Sequence, residues 1–235
     1  MKAGILTCTI LATLLCLSPC SAELKRATVE YEQNGAVLEG YLVYDDAFKG
    51  PRPGVVVFHE WMGIGPYEKG RSEQLAELGY LVLAADIYGK GQRPKTREEA
   101  AKMAAIYRND RSLLRARARA AIELIRQHEL ADPNRIAAIG YCFGGTTVLE
   151  LARSGADIAG VVSFHGGLDT PPRPRLGASR ARCWSCMAEM IPMFRSSKSS
   201  PSSRRCGRPV RIGSSSFMVG RCTASPIRPP ATTLL

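Results

Sequence analysis

The sequence predicts an α/β domain with a mostly parallel sheet covered by helices on both faces. Three observations predict this. Short continuous apolar runs, PGVVVFHE (53–60) and YLVLAADIYG (80–89), have the pattern of strands buried on both sides. Stretches of helical periodicity separate such runs, as the crossovers of a parallel sheet require. At 235 residues the chain has room for one such domain with a proper core.

The elements follow in order. Residues 1–22 carry Lys2, an apolar run from Ile5 to Leu17, and small residues ending Cys20-Ser21-Ala22; this predicts a secretory signal peptide cut after Ala22 and a periplasmic or secreted product. The run is short for a bilayer span, so no membrane span is expected after cleavage. A folded domain is expected over 23–170. ATVEYE and AVLEGYLVY alternate as half-buried strands around Asn34-Gly35, a two-residue hairpin signal. After the strand at 53–60 come a helix near Tyr67–Leu78, the strand at 80–89, and a helical stretch from Thr96 through Ile125. In that stretch Leu114, Ala118, Ala121 and Ile125 form one apolar stripe, which leaves Arg115, Arg119, Glu123 and Arg126 as a solvated face. RIAAIGY, a helix over Phe143–Ala152, and the strand IAGVVSFHG complete the domain.

The net charge of +11 is not spread along the chain. Residues 1–170 hold 20 basic and 20 acidic side chains, whereas 171–235 hold 12 basic and one acidic, with four of the eight cysteines. This tail is rich in Ser, Pro and Arg and lacks sustained apolar periodicity, so it is expected to be disordered. Its CWSC (183–186) with Cys206 and Cys222 has neither the paired spacing of a zinc site nor a redox βαβ setting. No metal or other cofactor is expected.

The chemistry centres on GYCFGG (140–145), which joins a strand to a helix. A turn that sharp leaves no room for side chains at Gly140 and Gly144, and it lifts Cys142 onto a helix N-terminus, where the dipole favours a reactive thiolate. The Phe143 backbone N–H then faces a developing oxyanion. FHEWMG (58–63) and DIYGKG (86–91) end two further central strands at the same edge of the sheet.

In this order and spacing the three motifs resemble the dienelactone hydrolase family of the α/β-hydrolase fold, over about residues 27–170. The resemblance implies cleavage of small-molecule ester or lactone bonds, with Cys142 as nucleophile and Glu60 as the carboxylate that contacts the thiol. It also implies an oxyanion hole from the N–H groups of Trp61 and Phe143. Where the best-known members place an arginine to hold a substrate carboxylate, the nearby cations here are Lys90 and Arg93. His59 sits beside Glu60 at a strand end, His128 near the end of a helix and His165 at the end of a strand, and each is expected to be structural and not the catalytic base.

The tail accounts for the missing acid and base. Methionine has a single codon, so codons rebuilt from the last base of one residue and the first two of the next are forced at three places in CMAEMIPMF. Met187-Ala188 spells glycine, Met190-Ile191 aspartate, and Met193-Phe194 valine. The pattern G-x-x-D-x-x-V resembles the family's acid turn. Cys222-Thr223 spells only His or Tyr, 32 residues further on. The tail is therefore expected to be a frameshifted translation of the family's C-terminal part, which leaves the sheet without its last strands and the chain without turnover. The alternative is a non-enzymatic exported protein whose basic tail binds anions or nucleic acid. The preferred reading expects no nucleic-acid partner.

Overall fold

A computed structural model of the protein describes residues 23–169 in full, together with the backbone of strands at 182–186, 209–212 and 215–220. The expected signal peptide and the rebuilt codons at Met190-Ile191 and Cys222-Thr223 lie outside the described residues.

β1 (Leu24–Gln33) and β2 (Ala36–Asp45) form an antiparallel hairpin that closes with Gln33 opposite Ala36. Asn34 and Gly35 fill the turn at φ 49° and 78°, the left-handed pair that a primed two-residue turn demands. The parallel body contains β3 (Arg52–Phe58), β4 (Leu81–Ala85), β5 (Ala131–Tyr141) and β6 (Gly160–Phe164), in the spatial order β1-β2-β4-β3-β5-β6. Successive β3 side chains enter different cores. Val56 and Phe58 pack with Leu114, Ile125 and Phe143, while Val55 and Val57 pack with Ala76 and Tyr141. That alternation places helix α1 (Pro66–Ala76) on one face and helices α3 (Arg111–Arg126) and α4 (Phe143–Arg153) on the other.

The single helical stretch expected over Thr96–Ile125 is two helices, α2 (Arg97–Asn109) and α3. The break is at Asp110 (φ −108°, ψ 83°), whose carboxylate accepts the Leu113 N–H at 2.9 Å and starts the second helix. The apolar stripe holds, since Leu114, Ala118, Ala121 and Ile125 are all fully buried.

The face opposite is solvated only in part: Arg119 and Glu123 are exposed, whereas Arg115 and Arg126 are partly buried, and all three arginines reach beyond α3. Arg115 Nε donates to the buried Glu150 at 2.9 Å, Arg119 reaches the Ser154 carbonyl at 2.6 Å, and Arg126 reaches the Asp157 carbonyl. They stitch α3 to α4 and to the loop beyond it. Burial works to raise the Glu150 carboxyl, but hydrogen bonds from Arg115 and Arg153 outweigh it and hold the group below the usual carboxylate range.

The sequence leaves 160–164 as an open edge, yet the sheet continues past it. β7 (Arg182–Cys186) pairs with β6 in parallel, from Gly160 opposite Arg182 to Phe164 opposite Cys186. β9 (Ser215–Gly220) lies parallel to β7, and β8 (Pro209–Ile212) pairs antiparallel with β9. An edge strand offers its unpaired N–H and C=O groups to any extended segment whatever its side chains, which is why composition did not foretell this. Among the described residues no helix is long and apolar enough to cross a membrane.

Candidate active site

Cys142 occupies the corner between β5 and α4 at φ 53° and ψ −110°, a conformation that costs a non-glycine residue of order 1–3 kcal/mol. Its neighbours hold it there. The Cys142 N–H donates to the Phe164 carbonyl at 3.0 Å, and the Cys142 carbonyl accepts the Thr146 N–H at 3.2 Å. The glycines permit the fold-back: a Cβ on Gly140 would lie 2.0 Å from the Gly144 carbonyl oxygen, and one on Gly144 would lie 2.2 Å from the Phe58 carbonyl oxygen. GYCFGG is thus a turn pressed against the end of β3, with α4 beginning where the sulfur sits.

The thiol is free and half-buried. Burial pushes it above the ordinary cysteine range and the negative charge of Glu60 adds to this, against a hydrogen bond from the Phe143 N–H and the charge of Arg108. The expectation of a thiolate favoured by the helix N-terminus is corrected in direction. The donor is present, but desolvation and the nearby carboxylate prevail over it.

The remaining predicted residues gather at the same edge. Glu60 lies two residues past the end of β3; its N–H donates to Glu68 Oε1 at 3.1 Å and its carbonyl accepts the Gly63 N–H at 3.2 Å, so residues 60–63 form a tight turn. Glu68 also receives the Gly65 N–H at 2.8 Å, so one buried carboxylate joins that turn to the start of α1. Sequence reasoning missed Glu68, although a glutamate in a helix's first turn is a capping signal. Trp61 is held through its carbonyl, which accepts the Tyr88 hydroxyl at 2.9 Å. The Phe143 ring is buried against His59, Tyr88 and Tyr107.

Both ring nitrogens of His59 are committed. Nε2 accepts the Ile87 N–H at 3.2 Å, so Nδ1 carries the proton and donates it to the Glu60 carbonyl. Complete burial holds this imidazole neutral by pushing its pKa down. His128 lies beyond α3, where Nδ1 accepts the Leu130 N–H at 3.1 Å, and burial lowers its pKa also. His165 departs from expectation, because its Nε2 stands 3.8 Å from Glu60 Oε1 at the edge that carries Cys142.

Neither cation after DIYG is free to receive an anion without exchange. Lys90 pairs with Glu30 on β1, and Arg93 spans Asp86 at 3.4 Å and the Gln92 carbonyl at 2.9 Å. Asp86 is fully buried and accepts the N–H groups of Tyr88 and Gly89 at 2.9 and 3.0 Å, which makes it the clamp of that loop. Among the described residues no group of three His, Cys, Asp or Glu side chains is placed to hold a metal ion.

A family model described as the dienelactone hydrolase family matches residues 38–184. The chain belongs to the dienelactone hydrolase family. A relative from Aquifex aeolicus, whose name is that of a carboxymethylenebutenolidase, is 30% identical over 128 residues, 53% of this chain and 54% of the relative. This chain thus spans about half the length of that curated relative. Two solved dienelactone hydrolase-like structures share the fold. One, called m3DLH, is 38% identical with a TM-score of 0.67, over 73% of this chain and 72% of its own. The other, a dienelactone hydrolase-like promiscuous phosphotriesterase from metagenomic libraries, is 35% identical with a TM-score of 0.66 over the same shares.

Proposed function

We propose that this member of the dienelactone hydrolase family acts on small ester or lactone bonds through Cys142. The observation that carries the reading is the cysteine held at φ 53° with the Phe143 N–H on its sulfur and Glu60 beside it. The Cys142 thiol loses its proton as its sulfur attacks the carbonyl carbon, that proton being the one the leaving alcohol later takes, and the carbonyl π electrons move to oxygen, where the Phe143 and Trp61 N–H groups are the proposed donors. Collapse re-forms C=O, expels the alcohol oxygen, which takes a proton, and leaves a thioester on Cys142. Each oxyanion donor of this kind is typically worth about 2.7–4 kcal/mol. The relative named as a carboxymethylenebutenolidase supports a lactone; the one named as a phosphotriesterase makes a phosphotriester a second electrophile to try.

The reading extends to the chain's output. Deacylation needs a base to activate water, and among residues 23–169 no histidine is paired with an acid that lies between Cys142 and itself, since His165 faces Glu60 and His59 faces Asp86. Acylation without sustained turnover is the expected behaviour, and the frameshifted tail is the proposed reason. Incubation with p-nitrophenyl acetate, followed by peptide mass spectrometry, should find one acetyl group on Cys142 and none there in Cys142→Ala. Acetyl groups on the other cysteines but not on Cys142 would overturn the assignment. The non-enzymatic alternative has the net charge of +11 in its favour. It gains if Cys142 stays unlabelled while the chain binds nucleic acid with a steep salt dependence.

A further inference from the structure

Register brings three residues into line at the edge of the sheet. Phe58 on β3 pairs with Gly140 on β5, and Gly140 pairs with Ser163 on β6. Two residues further along each strand are Glu60, Cys142 and His165, with the cysteine in the middle. Neighbouring strands lie about 4.8 Å apart, so the backbones of Glu60 and His165 are about 10 Å apart with the Cys142 turn between them. Their side chains nevertheless approach to 3.8 Å, and both are 39% exposed. They close that gap only by leaning towards each other across Cys142.

The placement of His165 is built into the backbone. Apart from Asn34 in the hairpin, Cys142 and His165 are the non-glycine residues with positive φ among the described residues, at 53° and 45°. Phe164 before it accepts the Cys142 N–H, and Gly166 after it is pressed on α4, where a Cβ would lie 2.3 Å from the Gly145 carbonyl carbon. Strain of this kind persists only where the surroundings over-determine it, and here it turns an imidazole towards the nucleophile's carboxylate neighbour.

We propose that His165 is a positioning residue for Cys142, its imidazole pairing with Glu60 across the Cys142 turn and, when protonated, offsetting the charge of that carboxylate. The inference rests on the reading of Cys142 as nucleophile. Glu60 does act on the thiol, against its ionisation. The other charged or titratable groups facing the cluster keep fixed roles. Glu68 of α1 holds the Glu60 N–H, Arg108 of α2 acts on the sulfur, Asp86 is clamped by Arg93, Tyr88 is held protonated by burial, and His59 is held neutral. The 3.8 Å approach of His165 to Glu60 is the side-chain pairing that spans the Cys142 turn.

The test is the pH profile of Cys142 alkylation by iodoacetamide in the whole chain, read on the Cys142 peptide because eight cysteines are present. The parent should show a shallow region between pH 5 and 8 before the alkaline rise. His165→Asn suits the left-handed backbone and carries no charge. It should react about three- to tenfold more slowly below neutrality, the order of effect of one unit charge largely screened by solvent, and rejoin the parent above pH 8. His165→Lys should stay fast below neutrality and lose the shallow region. In a Glu60→Gln background the asparagine change should alter the rate less than about twofold. A His165→Asn profile that overlays the parent overturns the proposal, as does an equal slowing in the Glu60→Gln background. Failure of acetyl labelling at Cys142 with these profiles intact overturns the hydrolase reading instead.

Discussion

Replacing Gly144 by alanine would put a methyl carbon 2.2 Å from the Phe58 carbonyl oxygen, 2.6 Å from its carbon and 2.8 Å from the His59 carbonyl oxygen. Carbon and oxygen normally approach no closer than about 3.3 Å. Every atom in the way is backbone, so no side chain can swing aside, and α4 must back away from the end of β3 by about an ångström. Overpacking costs about 1–3 kcal/mol where side chains can adjust. With rigid chain on both sides the upper end applies, about 3 kcal/mol. At this chain length each kcal/mol lowers the melting temperature by about 2–4 °C, so Gly144→Ala should melt about 6–12 °C below the parent.

Gly70 is the internal control. It lies within α1, and a Cβ there meets nothing within 4 Å, so Gly70→Ala should stabilise by roughly 0.5–1 kcal/mol through backbone entropy alone. Thermal melts by circular dichroism read both variants, and Cys142 alkylation reads whether the turn has opened. If Gly144→Ala melts within about 2 °C of the parent, the claim that the turn is pressed on β3 fails.

The other predictions are independent of that contact. Because burial lowers the folded pKa of His59, the unfolded chain binds the extra proton first as pH falls below about 6.5. Stability should therefore be complete above that value and decline below it towards the depressed folded pKa, by at most about 1.4 kcal/mol per pH unit. Urea titrations at pH 7.5, 6.5 and 5.5 would expose a flat dependence, which contradicts the buried neutral assignment. Arg115→Ala strips one of two cations from a fully buried carboxylate and should cost about 2–4 kcal/mol by the same titration, whereas Arg119→Ala, an exposed contact to a carbonyl, should cost less than about 1 kcal/mol. Restoring the alternative frame ahead of the Cys183 codon should add sustained ester turnover that disappears in Cys142→Ala. A repaired chain that folds cooperatively yet hydrolyses no ester or lactone would count against the hydrolase reading.

Much of the body was legible because its signals are local. Asn34-Gly35 names its own turn, β3 and β4 announce burial on both faces, and the glycines around Cys142 declare a close backbone approach. What escaped depends on partners distant in sequence. Arg115 looks solvated on a helical wheel, since nothing in α3 reveals that Glu150 of α4, 35 residues later, waits buried beneath it. Asp110 caps a new helix inside an unbroken apolar periodicity, so the stripe concealed the break. His165 resembled an ordinary strand end, because the register that brings it level with Glu60 is a property of the paired strands and not of either segment. The direction of the thiol's shift followed from burial, which a motif does not encode.

These particulars separate two halves of the site's chemistry. The Cys142 turn, the Phe143 N–H and the Glu60–His165 pair all lie between residues 58 and 166, fixed by β3, β5, β6 and α4 through backbone contacts made among themselves. The acid and base proposed for turnover are expected from the tail's alternative reading frame, beyond that segment. Reactivity of the sulfur and completion of the catalytic cycle are therefore distinct properties of this chain. Alkylation of Cys142 reports on the first, and sustained release of alcohol on the second. The strain concentrated at Cys142 and His165 belongs to the first, so it bears on alkylation of the sulfur whether or not the chain turns over.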